Sequence, residues 1–269
     1  MHTLALAMGK GGTGKTTVAI HLAVGLARQR KRVLLVDLDP TAHATAWLLG
    51  LESIGGAGVA EALLERRLGA EHLREVPGRH GLALMPASRN LATAELQLAT
   101  AKGGTDILRG LLAEAAERWD YAILDCPPNL GLYTSSALIA SSGVLAPLPA
   151  GWLSLAGLRL LQESIAWLRK RVPGVTPRLL GCVLFDTDDR KSITAQTRDH
   201  LRHEIGDLLY RSEVRVSTAA EALPSRQQTA WDDGADPRGA EDYPAILRET
   251  VARLGRLRRK GNGDAEEEA

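Results

Sequence analysis

The sequence is short of cysteine, of aromatic residues and of long apolar runs. Its 269 residues include two cysteines and one phenylalanine, and the formal net charge is +1. Cys126 and Cys182 are too few for a disulfide framework and have no metal-ligand spacing, which favours a reducing, intracellular setting. No apolar stretch approaches the roughly 20 residues that span a bilayer, and the N-terminus lacks the basic region of a signal peptide. The small net charge argues against a protein whose whole surface binds nucleic acid, but it is compatible with a local basic patch.

Short apolar segments typical of buried strands alternate with helical segments along most of the chain. The expected strands are "TLALAM", "KRVLLVDLD", "GLALMPA", "YAILDCP", "GVLAPLPA" and "PRLLGCVLF". The clearest helices are "GKTTVAIHLAVGLARQR", "TDILRGLLAEAAERW" and "LSLAGLRLLQESIAWLRKRV". This alternation predicts an α/β fold with a doubly wound, mostly parallel sheet covered by helices on both faces. Ligands of such a sheet bind at the carboxyl ends of its strands.

A phosphate-binding loop is predicted between the first strand and the first helix. Residues 9–16, "GKGGTGKT", satisfy the G-x4-G-K-[ST] pattern in the context that the motif requires. Glycines let backbone N–H groups face the phosphates, and the start of the helix adds its positive end. Lys15 is expected to reach the β- and γ-phosphates, and the Thr16 hydroxyl is expected to bind Mg²⁺. The predicted nucleotide-binding residues are Gly11, Gly12, Thr13, Gly14, Lys15, Thr16 and Thr17.

Two acidic motifs follow at the ends of predicted strands. "ILDCPP" places Asp125 where a carboxylate can support the Mg²⁺ shell. "VDLDP" places Asp37 and Asp39 two residues apart, on the same side of a strand. One of this pair can therefore be structural while the other faces the γ-phosphate. An isolated aspartate is more often a helix cap or a turn residue, but beside a phosphate loop we favour the nucleotide site.

Three motifs in order resemble one family. "KGGTGKTT", "RVLLVDLDP" and "YAILDCPPNLGLYTSSAL" look like the deviant Walker A ATPases of the ParA/MinD superfamily, most of all its small chromosomal, Soj-like ParA proteins. The likeness continues in "NLATAELQLA", "LLGCVLFDTDDR" and "DPRGAEDYPAIL". It covers most of residues 1–258, which we predict to be a single P-loop ATPase domain. Residues 259–269 form a charged tail that the composition predicts to be disordered.

The resemblance implies roles for individual residues. Lys10, the first lysine of the loop, would cross a dimer interface and contact the nucleotide of the partner subunit. With Lys15 and Asp39 it would make up the catalytic set, in which Asp39 helps to activate the attacking water. Thr16, Asp125 and Asp39 would hold the metal, partly through water. The resemblance thus implies ATP and Mg²⁺ as ligands and an ATP-dependent homodimer that hydrolyses ATP slowly. The segment "CPPNLG" would sense the γ-phosphate.

ParA-type members of the family bind double-stranded DNA without sequence preference in the ATP state, through basic residues late in the chain. The matching candidates here are Arg190, Lys191, Arg211 and Arg215. Phosphate contacts need only charge and reach, so they tolerate drift in the surrounding sequence. The alternative is that these are solvated surface residues with acidic neighbours. The family's "IPRN" stretch is replaced by "YRSE", so its contacts with the nucleotide base are not carried over.

Together these expectations describe a cytoplasmic, nucleoid-associated ATPase that positions or segregates a cargo. The cargo would be a chromosome, a plasmid or a protein assembly such as a carboxysome or chemoreceptor cluster. A ParB-like or small adaptor protein would stimulate hydrolysis and so release the dimer. The alternative is a MinD-like membrane-cycling regulator, but the last helix has a thin apolar face without aromatic anchors, so membrane binding is not expected. A nitrogenase-reductase-like enzyme would need paired cysteine ligands, which the chain lacks.

Overall fold

The computed structural model describes residues 1–151 and 154–267, and side chains up to residue 257. Within these ranges the strands form one sheet in the order β3-β4-β2-β5-β1-β6-β7-β8. The strands are β1 His2–Leu6, β2 Val33–Asp37, β3 Arg74–Glu75, β4 Leu82–Met85, β5 Tyr121–Asp125, β6 Gly143–Pro149, β7 Arg178–Thr187 and β8 Val214–Arg215. Neighbouring strands are parallel except for the pair β3 and β4.

Helices connect the strands and cover both faces of the sheet. They are α1 Lys15–Arg28, α2 His43–Leu49, α3 Val59–Glu65, α4 Asn90–Thr100, α5 Ile107–Glu114, α6 Leu132–Ala140, α7 Ser154–Arg171, α8 Ser192–Ile205 and α9 Gly239–Glu267. Alternate residues of one strand belong to different cores: Leu34 packs on one face and Leu35 on the other. A strand buried on both faces reads as a continuous apolar run, which explains why the strands were visible in the sequence. The predicted α/β class and mostly parallel sheet are confirmed.

The structure differs from the sequence expectations at the edges of the sheet and at the ends of some helices. Strands β3 and β8 were not expected, because two residues are too few to show a period of two. Helix α5 ends at Glu114 and does not continue to Trp119. Helix α9 runs to Glu267 and so includes most of the charged segment 259–269. Residues 268 and 269, and the side chains from residue 258 onward, lie outside the described part.

Helix α9 uses its apolar residues within the fold. Leu254 is buried, and Val251 and Leu257 pack against the same core, which α1 also lines. Up to residue 257, the apolar stripe considered for membrane contact therefore faces the protein. None of the described helices is long and apolar enough to cross a bilayer.

Candidate functional site

The phosphate loop connects β1, the strand between β5 and β6, to α1. It turns because Gly12 and Gly14 have φ angles of 69° and 87°, a left-handed region that side chains with a Cβ rarely adopt. At Gly14 there is a second restriction. A Cβ on this residue would overlap the ring of Phe185, the phenylalanine of β7. Both backbone conformation and packing therefore require glycine at the last position before the helix.

The two lysines of the loop have different environments. Lys15 is 6% exposed, and its Nζ donates a hydrogen bond of 3.0 Å to the carbonyl oxygen of Lys10. Burial lowers the pKa of Lys15, and the carboxylate of Asp125 opposes that shift. Lys10 is exposed, and its side chain has no ion pair among the described residues. Lys15 is thus enclosed by its own loop, whereas Lys10 extends from the outer side of the loop.

Asp125 ends β5 next to the phosphate loop, opposite Leu6 of β1 and Asp37 of β2. It is fully buried, and neither carboxylate oxygen has a hydrogen-bond partner in the described part of the chain. Burial raises the pKa of Asp125 well above its usual value, and the Asp37 carboxylate adds to the shift; Thr16 and Lys15 act against it. A buried carboxylate that accepts no hydrogen bond is costly unless a cation neutralises it. Together with the neighbouring threonine hydroxyl it offers the oxygen ligands that a hard divalent cation binds. The residues therefore fit Mg²⁺.

Asp37 and Asp39 differ in their hydrogen bonds. Asp37 is buried and accepts bonds from the N–H and hydroxyl of Thr45, at 2.9 and 2.7 Å, so it fixes the first turn of α2. Burial raises the pKa of Asp37 to about 6. The Oδ1 atom of Asp39 accepts bonds from Thr41, while no described residue hydrogen-bonds to its Oδ2. Asp37 is therefore the structural member of the pair, and Asp39 keeps an oxygen free for a ligand.

The predicted γ-phosphate-sensing segment, residues 126–131, contacts the phosphate loop. The Pro128 side chain lies 3.8 Å from the position of a Cβ on Gly11. The Leu130 side chain lies 3.4 Å from the corresponding position on Gly9. A movement of residues 126–131 would therefore displace the phosphate loop, and a movement of the loop would displace residues 126–131. This contact is consistent with the role that the resemblance implies.

A cavity of about 410 Å³ continues from the phosphate loop past the start of α1, and its lining is mostly apolar. It is lined by Thr16, Thr17, His43, Ala46, Trp47, Leu51, Pro224 and Ser225. Only the two threonines were assigned to a site from the sequence. Nothing in the spacing of the chain links Trp47 of α2 with Pro224, because they meet only through the tertiary fold.

Arg190 and Lys191 lie just after β7 and are strongly exposed. The guanidinium of Arg190 binds Asp188 through two hydrogen bonds of 2.8 and 2.9 Å, yet its side chain remains 84% exposed. That contact lowers the pKa of Asp188 to about 2. Exposed pairs of this kind contribute little to stability. Both cations are therefore accessible to a ligand in solution.

Arg215 has a structural environment. Its Nη2 lies 2.7 Å from both Glu241 and Asp242, and its side chain is 35% exposed. Its backbone N–H also donates to Asp242. These contacts attach β8 to the first turn of α9. Of the four basic candidates, Arg215 is the one whose ion pairs connect a strand to a helix.

Arg211 lies in a separate groove of about 940 Å³ between the end of α8 and α9. Four exposed arginines of this groove have no ion pair in the described part of the chain: Arg202, Arg211, Arg248 and Arg256. The groove's Glu249 is paired with Arg253 at 2.7 Å. Of the four, only Arg211 was identified from the sequence. Arg248 and Arg256 were missed although they lie eight residues apart on one helix, since the groove also needs α8.

A glycine-rich loop at the end of a central parallel strand, with a buried lysine and an unpartnered aspartate, defines a P-loop nucleoside triphosphatase. The additional lysine of this loop, Lys10, is not part of the general P-loop pattern.

Comparisons with known proteins identify the family. Residues 1–176 match the family model described as an AAA domain. The chromosome partitioning protein ParA of Myxococcus xanthus is 35% identical over 251 residues, covering 91% of this chain and 86% of its own. The chromosome-partitioning ATPase Soj of Thermus thermophilus is 36% identical over 254 residues, covering 93% and 96%. The chain therefore belongs to the ParA/MinD superfamily of ATPases, near its Soj-like members.

Solved structures agree with this assignment. An McdA–ATP complex from Cyanothece has a TM-score of 0.82 at 21% identity, covering 95% of this chain and 96% of that one, which shows the shared fold. Cobyrinic acid a,c-diamide synthase of Mycobacterium smegmatis, with a bound ATP analog and magnesium, has a TM-score of 0.73 at 28% identity, covering 92% and 95%. The predicted ligands, ATP and Mg²⁺, are confirmed, and the protein is a ParA-like ATPase.

Proposed function

We propose that the protein is a nucleotide-operated switch that positions its cargo on DNA. ATP closes a homodimer across the face that carries Lys10, and the dimer binds double-stranded DNA without sequence preference. A partner protein, ParB-like or a small adaptor, stimulates hydrolysis, which separates the subunits and releases the DNA. The contrast between the enclosed Lys15 and the exposed Lys10 carries the proposal. A single nucleotide site accounts for Lys15, and a facing nucleotide in the partner subunit accounts for Lys10.

Within one subunit, Lys15 would contact the phosphates and the loop amides would surround them. Thr16, Asp125 and Asp39 would hold Mg²⁺, partly through water. When bound, Mg²⁺ neutralises charge on the β- and γ-phosphates. The free Oδ2 of Asp39 is then available to orient the attacking water. The nucleoside would occupy the cavity lined by Trp47 and Pro224, which adjoins the loop and is largely apolar.

The proposed DNA interface lies along the edge of the sheet formed by β8 with α8 and α9. Arg190 and Lys191 are accessible at one end of this edge. The groove around Arg211 adds three further arginines that have no ion pair with a described residue. Exposed cations, most of them without acidic partners, suit a phosphate backbone, since such contacts need charge and reach but no base recognition. Arg215 would act indirectly by holding α9 against β8.

Retardation of an arbitrary DNA duplex in a gel tests the switch. Wild-type protein with ATP, and Asp39→Ala with ATP, should retard the duplex because both reach the dimeric state. The same proteins with ADP should leave the duplex free. Asp39→Ala should give the stronger shift, since it binds ATP without using it. Equal retardation with ATP, with ADP and without nucleotide would exclude the switch.

Charge reversal in the groove tests where DNA binds. The double variant Arg211→Glu/Arg248→Glu should weaken DNA binding at least about 10-fold, because it removes two phosphate contacts and adds two like charges. ATP affinity should stay the same. The matched control is Lys102→Glu/Arg118→Glu, which reverses two exposed cations that follow α4 and α5. Those helices pack on the core that does not contain α9.

Equal loss of DNA binding in both double variants would mean that net charge, and not the groove, governs binding. Arg215→Glu is a poor probe, because it would place a third carboxylate against Glu241 and Asp242 and loosen α9.

A further inference from the structure

The segment between β8 and α9, residues 216–238, forms one wall of the cavity beside the phosphate loop. It carries Pro224 and Ser225, which line that cavity. The segment contains only short 3₁₀ turns, at residues 220–222 and 224–226. The N–H of Val216 donates to the carbonyl oxygen of Thr187, and the other backbone–backbone hydrogen bonds donated by the segment stay within it. Its distance from α1 must therefore be set by side chains.

His21 of α1 makes that connection. The side chain is fully buried, and its Nε2 accepts a hydrogen bond of 3.0 Å from the backbone N–H of Ala230. A backbone amide can only donate, so Nε2 is unprotonated and the ring proton is on Nδ1. Nδ1 donates at 2.7 Å to the carbonyl oxygen of Thr17. One imidazole thus joins the first turn after the phosphate loop to the opposite wall of the cavity.

The surroundings hold the ring in this orientation and charge state. It stacks on Tyr243 at a centroid distance of 3.7 Å and meets Trp47 edge-on at 5.8 Å. Burial lowers the pKa of His21 to about 4, against the weaker influence of the hydrogen bond to Thr17 and of the Asp236 and Asp232 charges. The imidazole is therefore neutral near pH 7 and keeps one acceptor and one donor nitrogen.

Two tryptophans reinforce the same connection. Trp231 Nε1 donates at 2.8 Å to the carbonyl oxygen of His21, and Trp47 Nε1 donates at 2.7 Å to that of Gln228. A Cβ on Gly25, one turn further along α1, would overlap the Trp231 ring. Residues 228–231 are thus attached to α1 and α2 by three hydrogen bonds to side chains. The bonded residues, Gln228, Ala230 and Trp231, lie four to seven residues beyond Pro224.

We infer that His21 is a positioning residue for the nucleotide: it sets the spacing between the α1 end of the phosphate loop and the Pro224–Ser225 wall, and thereby the affinity for the nucleoside part of ATP. The inference rests on the proposed placement of the nucleoside in this cavity. His21 does not line the cavity, so it acts through Thr17 and Ala230.

Three substitutions separate this role from simple packing. His21→Gln can extend an amide oxygen to the position of Nε2 and keep the bond from Ala230. His21→Asn is shorter and can keep only the bond to Thr17. His21→Phe preserves the ring volume and the stacking on Tyr243 but makes neither bond. If the hydrogen bond from Ala230 sets the position of the wall, the wild type should bind ATP most tightly and His21→Gln next. His21→Asn and His21→Phe should bind ATP equally weakly.

The measurements are the dissociation constant for ATP, KM and kcat for hydrolysis, and the melting temperature of each variant. We expect His21→Phe and His21→Asn to raise the dissociation constant and KM roughly 5- to 20-fold, with kcat within about twofold, and His21→Gln to recover most of the affinity. If affinity instead follows the melting temperature, with Phe better than Gln, or if all variants bind ATP like the wild type, the inference is wrong.

A second variant covers the case in which His21→Phe does not fold. Trp231→Phe leaves the imidazole intact and removes the bond to the His21 carbonyl together with part of the indole ring against Gly25, so it should raise KM in the same direction; an unchanged KM would also overturn the inference. ATP binding by the wild-type protein shows whether a negative result concerns His21 or the proposed nucleotide site. If the wild type binds no ATP, the nucleotide site itself is wrong, whereas normal wild-type binding with unaffected variants removes only His21.

Discussion

Lys15→Ala should abolish ATP hydrolysis, with a loss of at least about 100-fold in turnover and ATP affinity too weak to titrate. Lys15 is the buried cation of the loop, and its ammonium lies near the Asp125 carboxylate. Removing it takes away a charge-assisted contact with the phosphates and leaves that carboxylate without its nearby positive charge. Calorimetric ATP titration and a phosphate-release assay measure the two effects.

The control for Lys15→Ala is a lysine that is exposed and lies away from the loop, such as Lys31. Lys31→Ala should bind and hydrolyse ATP like the wild type. Turnover by Lys15→Ala within a few-fold of the wild type would mean that residues 9–16 do not form the hydrolytic site.

Lys10→Ala should leave ATP bound but keep the protein monomeric. The carbonyl that accepts the Lys15 hydrogen bond belongs to the backbone, so it survives the substitution and the loop keeps its shape. What is lost is the exposed ammonium, twice in a symmetric dimer. At about 1.5–3 kcal/mol for each charge-assisted contact, dimer affinity should fall by about 100-fold or more.

Light scattering after size exclusion, with ATP present and in an Asp39→Ala background, distinguishes the two states. Asp39→Ala alone should be dimeric, and the double variant Lys10→Ala/Asp39→Ala should be monomeric while its ATP titration is unchanged. A dimer that persists in the double variant would reduce Lys10 to an ordinary surface lysine. Loss of ATP binding would instead place Lys10 within its own subunit's site.

The phosphate loop and the sheet were predictable from the sequence because both depend on local patterns. Strands buried on two faces appear as apolar runs, and the loop needs its glycines in a fixed order. The sequence indicated that one of Asp37 and Asp39 is structural and the other faces the γ-phosphate, but it did not indicate which. Which residue is structural depends on Thr45, eight residues beyond Asp37, whose amide and hydroxyl both bind Asp37. Residue spacing does not contain that information.

The remaining parts of the site come from distant segments of the chain. Trp47 and Pro224 share a cavity although 177 residues separate them, and the groove arginines come from α8, the segment before β8, and α9. The roles of Trp47 and Trp231 could not be predicted from the sequence, because they depend on indole N–H groups that reach carbonyls of another segment. Arg215 matched a family position, but its two carboxylate partners became visible only when α9 was placed.

The two environments of the arginines give ionic strength two different effects on this protein. The Arg215 contacts involve a nearly buried carboxylate, Asp242, which counterions reach poorly. The groove arginines are open to solvent, and any polyanion bound there competes directly with the salt around it. Moderate salt should therefore weaken the proposed DNA binding, while the helix α9, which carries two of those arginines, stays attached to the sheet.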